Sequence, residues 1–94
     1  MAQESKLEKA VTAYARSKKC YVRKFKAPGN RGVPDKLFLA PSGVVFFIEF
    51  KAPGKLPTAL QMREINMIQT NKGNACVIDN LEQGKVTIDH YLSL

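Results

Sequence analysis

Tryptophan is absent from this 94-residue chain, histidine occurs once and cysteine twice. Cys20 and Cys76 are far apart in sequence, and neither has the close Cys or His neighbours that a zinc site needs. Both are therefore expected to be reduced, structural thiols. His90 has no evident second ligand and is expected at the surface. No apolar run approaches the ~20 residues of a membrane span, and Met1-Ala2-Gln3-Glu4-Ser5-Lys6 has no apolar signal core. A soluble protein of the cytoplasm is the expectation. Internal repeats and low-complexity segments are also lacking.

Acidic side chains are scarce. Eight Asp and Glu stand against 15 Lys and Arg, for a formal charge of +7 and a sequence pI near 9.7. An excess of this sign favours polyanions, because each cation that meets a phosphate releases condensed counterions. Nucleic acid is the leading partner on charge. The composition, 45% hydrophobic and 24% charged, is that of a folded globular protein. The length suits one domain, residues 1–94, and a domain this small buries only about 60 to 65 per cent of its unfolded surface. A partner subunit would reinforce so marginal a core.

Leu7, Ala10, Val11, Tyr14 and Ala15 follow the spacing of an amphipathic helix over residues 5–19, with Lys6, Lys9, Arg16 and Lys18 pointing elsewhere. A short strand, residues 21–25, precedes a loop rich in Pro, Gly and Asn at 27–32. Residues 36–40 and 44–50 form a hairpin about Pro41-Ser42-Gly43. The apolar run Val44 to Ile48 lacks polar alternation, which predicts a strand covered on both faces. After a break at 52–57, Thr58 caps a helix reaching about Asn71, which Lys72-Gly73-Asn74 ends. Residues 75–79 make a further buried strand, parallel to an earlier one because a helix intervenes. In the tail, Leu81, Ile88, Tyr91 and Leu92 suit a helix, whereas Val86, Ile88, His90 and Leu92 suit a strand; helix is preferred.

Glu49 and Lys51 lie two apart at the end of an apolar strand, so the pleat sends both to one face. A carboxylate and an ammonium placed there cost desolvation unless something pairs or coordinates them. Hairpin pairing brings Asp35, which follows Pro34, within reach of Glu49. Two carboxylates and a lysine then converge at one end of a sheet. Carboxylates suit Mg²⁺, a hard cation that keeps several waters. Such an ion can acidify a water and stabilise phosphoryl charge, while Lys51 positions the nucleophile and offsets negative charge. The chemistry so indicated is phosphodiester hydrolysis.

Gly32-Val33-Pro34-Asp35 followed by Glu49-Phe50-Lys51-Ala52-Pro53-Gly54 resembles the VRR-NUC family, the virus-type replication-repair nucleases of the PD-(D/E)xK superfamily. The similarity extends from the first helix to Asp79. It implies an α/β, restriction-endonuclease-like core, in which a mixed central β-sheet is flanked by α-helices. It also implies a glutamate on the first helix, best matched by Glu8 with Glu4 as the rival, and a glutamine after Glu-x-Lys, matched by Gln61. The implied catalytic set is Glu8, Asp35, Glu49, Lys51 and Gln61, with Glu8, Asp35 and Glu49 holding Mg²⁺ or Mn²⁺. Gln61 shares a stripe with Ile65 and Ile68 and needs a hydrogen-bond partner; Lys51, Glu8 and a metal-bound water are the candidates, unless Gln61 lies at the stripe's exposed edge.

Minimal members of the family, found in phages and bacteria, imply a homodimer that cuts branched DNA such as four-way (Holliday) junctions. Two symmetric sites suit a substrate with approximate twofold symmetry. A phage-encoded member would work in the host-cell cytoplasm. Arg23, Lys24, Lys26, Arg31 and Lys36 around the first loop, and Lys55 in the second, are the expected phosphate contacts, giving little sequence specificity. The alternatives are a nuclease for flaps or other DNA structures, a non-catalytic nucleic-acid-binding module, and a homodimeric scaffold. Intact Asp35, Glu49 and Lys51 favour catalysis.

Overall fold

The computed structural model of the chain describes residues 2–94, with side chains from residue 3 onward. The order is α1 (Ala2–Ser17), β1 (Tyr21–Lys24), β2 (Lys36–Leu39), β3 (Val45–Phe50), α2 (Ala59–Thr70), β4 (Asn74–Ile78) and α3 (Leu81–Leu92). The four strands form one mixed sheet in the order β1-β2-β3-β4, antiparallel at the first two pairings and parallel at β3-β4. The tail is thus a helix, and the strand after the α2 crossover is parallel, as helical connections require.

The pleat divides the sheet into two unlike faces. Phe46, Ile48 and Phe50 of β3 are fully buried on one face, with Val22 and Phe38. Leu7, Val11 and Ala15 of α1 and Ile88 of α3 complete that core, and Tyr91 stacks on Phe46 at 4.5 Å. Gly84 lets α3 close on α1, since a Cβ there would fall 2.5 Å from Val11 Cγ2. The opposite face carries Phe47 and Glu49 and is covered by α2 through Ile65. Cover here is incomplete: Phe47 is only half-buried and Val45 is 40% exposed, so the uninterrupted apolar run does not mean burial on both sides.

Lys19 (φ 72°) and Lys72 (φ 67°) adopt the left-handed conformation that turns the chain out of α1 and α2. Gly73 has a different task, because a Cβ there would meet the Ile68 carbonyl oxygen at 2.9 Å. Cys20 is buried, Cys76 is half-buried, and both are free thiols. His90 is exposed. No helix among the described residues is long and apolar enough to cross a membrane.

Candidate active site

The antiparallel register pairs Lys36 with Ile48. Extending it by one residue sets Asp35 opposite Glu49. Asp35 is fixed by its own neighbour strand: Oδ2 accepts the Phe50 backbone N–H at 2.8 Å. Glu49 is 2% exposed. The two carboxyl groups are close enough to share a hydrogen bond when one is protonated. Burial raises the pKa of both, and the charge of Asp35 pushes Glu49 further, to about 7. Glu49 therefore holds a proton near neutrality that an ordinary glutamate would have lost.

Two groups temper that charge. Lys51, one residue beyond β3, brings Nζ to 3.8 Å from Glu49 Oε2. Gln61 Nε2 donates to the same oxygen at 3.0 Å. The partner of Gln61 is therefore Glu49 itself, which was not among the candidates drawn from the sequence. Its amide is held in that orientation by Thr58: Gln61 Oε1 accepts the Thr58 N–H at 2.8 Å, and Thr58 Oγ1 accepts the Gln61 N–H at 3.2 Å. This is a capping box. Thr58 and Gln61, three apart, carry the sequence signature of that box, so the role of Thr58 in orienting Gln61 was legible.

Glu49 Oε1 is left buried with no hydrogen-bond donor. A buried carboxylate oxygen without a donor is costly, and it is a natural position for a cation. Hard oxygen donors of this kind fit Mg²⁺ or Mn²⁺. The structure assembles two of the three expected carboxylates. Among the described residues, no three His, Cys, Asp or Glu side chains form a ready-made cluster.

Of the two helix glutamates, Glu4 is the one whose charge acts on both Asp35 and Glu49. Glu8 is engaged instead by Lys36, at 3.5 Å. Lys36 follows Asp35 along the strand, so the pleat sends it to the other face and takes Glu8 with it. Lys36, one of the cations expected to meet phosphate, is thus half-buried and paired with Glu8. Arg23, Lys24, Lys26, Arg31 and Lys55 remain exposed. Lys24, Lys26 and Arg31 line, together with Asp35, a cleft of about 390 Å³ beneath the β1-β2 loop. Arg23 lies over the Tyr21 ring at 4.1 Å.

Further contacts fix the loops around the site. Gly32 packs so tightly on α2 that a Cβ would fall 2.4 Å from the Leu60 carbonyl oxygen. Gly32 thereby docks the basic loop against the turn that carries Gln61. Asp79 accepts the Gly54 N–H at 3.1 Å, tying the segment after Lys51 to the end of β4.

No family model matches the chain. Over 62 residues it is 44% identical to "Putative nuclease p44" of Acyrthosiphon pisum secondary endosymbiont phage 1, a stretch covering 66% of this chain and 67% of that relative. A solved structure described as "VRR_NUC domain" aligns with a TM-score of 0.87 at 29% identity, covering 95% of this chain and 97% of its own. The chain belongs to the VRR-NUC family. Its mixed sheet and three helices are the α/β, restriction-endonuclease-like fold, and a nuclease-type hydrolase is the function of this VRR-NUC domain.

Proposed function

We propose that the protein is a Mg²⁺- or Mn²⁺-dependent endonuclease that hydrolyses phosphodiester bonds of branched DNA, four-way junctions foremost, as a homodimer. The observation that carries the chemistry is the pairing of half-buried Asp35 with buried Glu49, whose Oε1 lacks a donor beside Lys51 and Gln61. Two carboxylates this close need a proton or a cation between them. Asp35 and Glu49 would hold the ion, with Glu4 in place of Glu8 as the third carboxylate. A bound ion of this class supplies an acidified water and neutralises charge on the phosphate.

The protein's own residues supply the rest. Phe50 N–H and Gln61 hold the two carboxylates in fixed directions, so no reorganisation is needed when phosphate arrives. Lys51 supplies positive charge beside the attacked phosphate and a donor that can orient the nucleophile. Lys24, Lys26 and Arg31 bring the backbone of the substrate over Asp35 through the cleft they share with it. The branched substrate and the dimer rest on the motif resemblance, the small core and the +7 charge.

The test incubates labelled four-way junction, flap and linear duplex with the protein and Mg²⁺ or Mn²⁺, beside Asp35→Asn and Lys51→Ala. Cleavage by the wild type alone, strongest on the junction, is expected, with DNA binding kept by Asp35→Asn because the phosphate contacts lie elsewhere. Equal cleavage by the variants, or none by any protein with either metal, would refute the proposal. Preference for the flap would reassign the substrate. Sedimentation in solution measures the dimer.

A further inference from the structure

The segment between Lys51 and α2 is pinned at three points. Lys51 N–H donates to the Ile78 carbonyl at 3.0 Å, Gly54 N–H to Asp79 at 3.1 Å, and Thr58 N–H to Gln61 at 2.8 Å. A turn from Lys55 N–H to the Ala52 carbonyl (3.0 Å) and two prolines, Pro53 and Pro57, stiffen it further. At its outer end this stiff loop presents Leu56, 85% exposed, next to Lys55.

A single exposed leucine is ordinary, but a cluster is not. Among the described residues nine large hydrophobic side chains are exposed, and four of them, Leu56, Leu60, Met62 and Met67, fall on this loop and α2. Leu60 and Met67 share a groove with Arg31, Arg63 and a lone carboxylate, Glu64. Cations thus flank both apolar features, Lys55 beside Leu56 on the loop that carries Lys51, and Arg31 and Arg63 beside Leu60 and Met67 on the helix that follows.

Those cations distinguish the two possible occupants. In an isologous contact with a second copy, Lys55, Arg31 and Arg63 would be brought up against the same patch of the partner, and like charges would oppose the apolar gain. Nucleic acid turns the same cations into phosphate contacts and offers base faces to the leucine. Leucine and methionine are side chains that other proteins insert between base steps, at a cost in unstacking. Unpaired or weakly stacked bases, as at a branch point, reduce that cost.

We infer that Leu56 is an apolar wedge that enters the base stack of the DNA substrate at its branch point, while Lys55 and Arg63 hold the flanking phosphates. The inference rests on the proposed DNA-cleaving function and names the surface by which branched structure is recognised.

The test uses a synthetic four-way junction with 2-aminopurine at the branch, in EDTA, with fluorescence reporting unstacking. Wild type is expected to raise the fluorescence several-fold, Leu56→Ala to lose more than half of that rise with little change in affinity, and Leu56→Met to recover it. Cleavage of linear duplex with Mn²⁺ should be the same in all three. Equal fluorescence for wild type and Leu56→Ala overturns the wedge. So does a fall from dimer to monomer in Leu56→Ala, which would give the patch to a second copy. If wild type cuts the junction without unstacking it, the wedge fails and the nuclease proposal stands. Unstacking by Leu56 in a protein that cuts no DNA supports the wedge and refutes the nuclease proposal.

Discussion

Glu49 makes the stability of this protein depend on pH in an unusual direction. Its pKa is raised from an ordinary 4.5 to about 7, through burial first and the Asp35 charge second. The folded state therefore binds this proton more tightly than the unfolded chain does. The stability this contributes is fully present below pH 4.5 and is lost as pH rises through 7. A difference of this size corresponds to roughly 3 kcal/mol in all, of which about 2 kcal/mol separates pH 5.5 from pH 8. Asp35, raised chiefly by burial, adds in the same direction. Asp79 is lowered by its bond to Gly54 N–H, so its opposite effect falls in more acid solution, outside this window. Urea unfolding of the metal-free protein in EDTA should show a midpoint roughly 1–2 M lower at pH 8 than at pH 5.5. Glu49→Gln keeps an acceptor for the Gln61 amide but cannot ionise, and should flatten most of that slope, leaving the part due to Asp35. A wild-type midpoint that is level or rises from pH 5.5 to 8 would refute the reasoning, as would a Glu49→Gln slope equal to that of wild type.

Mg²⁺ or Mn²⁺ should raise the urea midpoint at pH 8 more than at pH 5.5, because protons compete for the same carboxylates; a shift independent of pH, or retained in Asp35→Asn, would place the ion elsewhere. Gln61→Ala removes both the amide bond to Glu49 and half of the capping box, and should cost about 1–2 kcal/mol in unfolding experiments while lowering the cleavage rate more than DNA affinity. Wild-type rate and stability together would remove Gln61 from the site. Gly32→Ala forces a methyl against the Leu60 carbonyl and should cost about 1–3 kcal/mol or displace the basic loop. The check is the unfolding midpoint together with junction affinity, and an unchanged pair would mean that the close contact is not maintained in solution.

The sequence by itself determined most of the elements. Helical spacing at Leu7, Val11 and Ala15, turn residues at Pro41-Ser42-Gly43 and the cap at Thr58 all act through local backbone geometry, and local geometry is what periodicity records. The same locality placed Glu49 and Lys51 on one face, and the hairpin then set Asp35 opposite Glu49, because register follows from the turn. Tertiary structure decided what depends on how elements dock. Two glutamates one turn apart on α1 share a face, and which of them acts on the carboxylate pair depends on where Leu7, Val11 and Ala15 seat that helix along the sheet. That seating put Glu4 within electrostatic range of the pair and gave Glu8 to Lys36. The approach of α2, close enough to require glycine at position 32, likewise chose Glu49 as the partner of Gln61. Pattern fixes the direction of a side chain from its own backbone; only packing fixes the distance to what it meets.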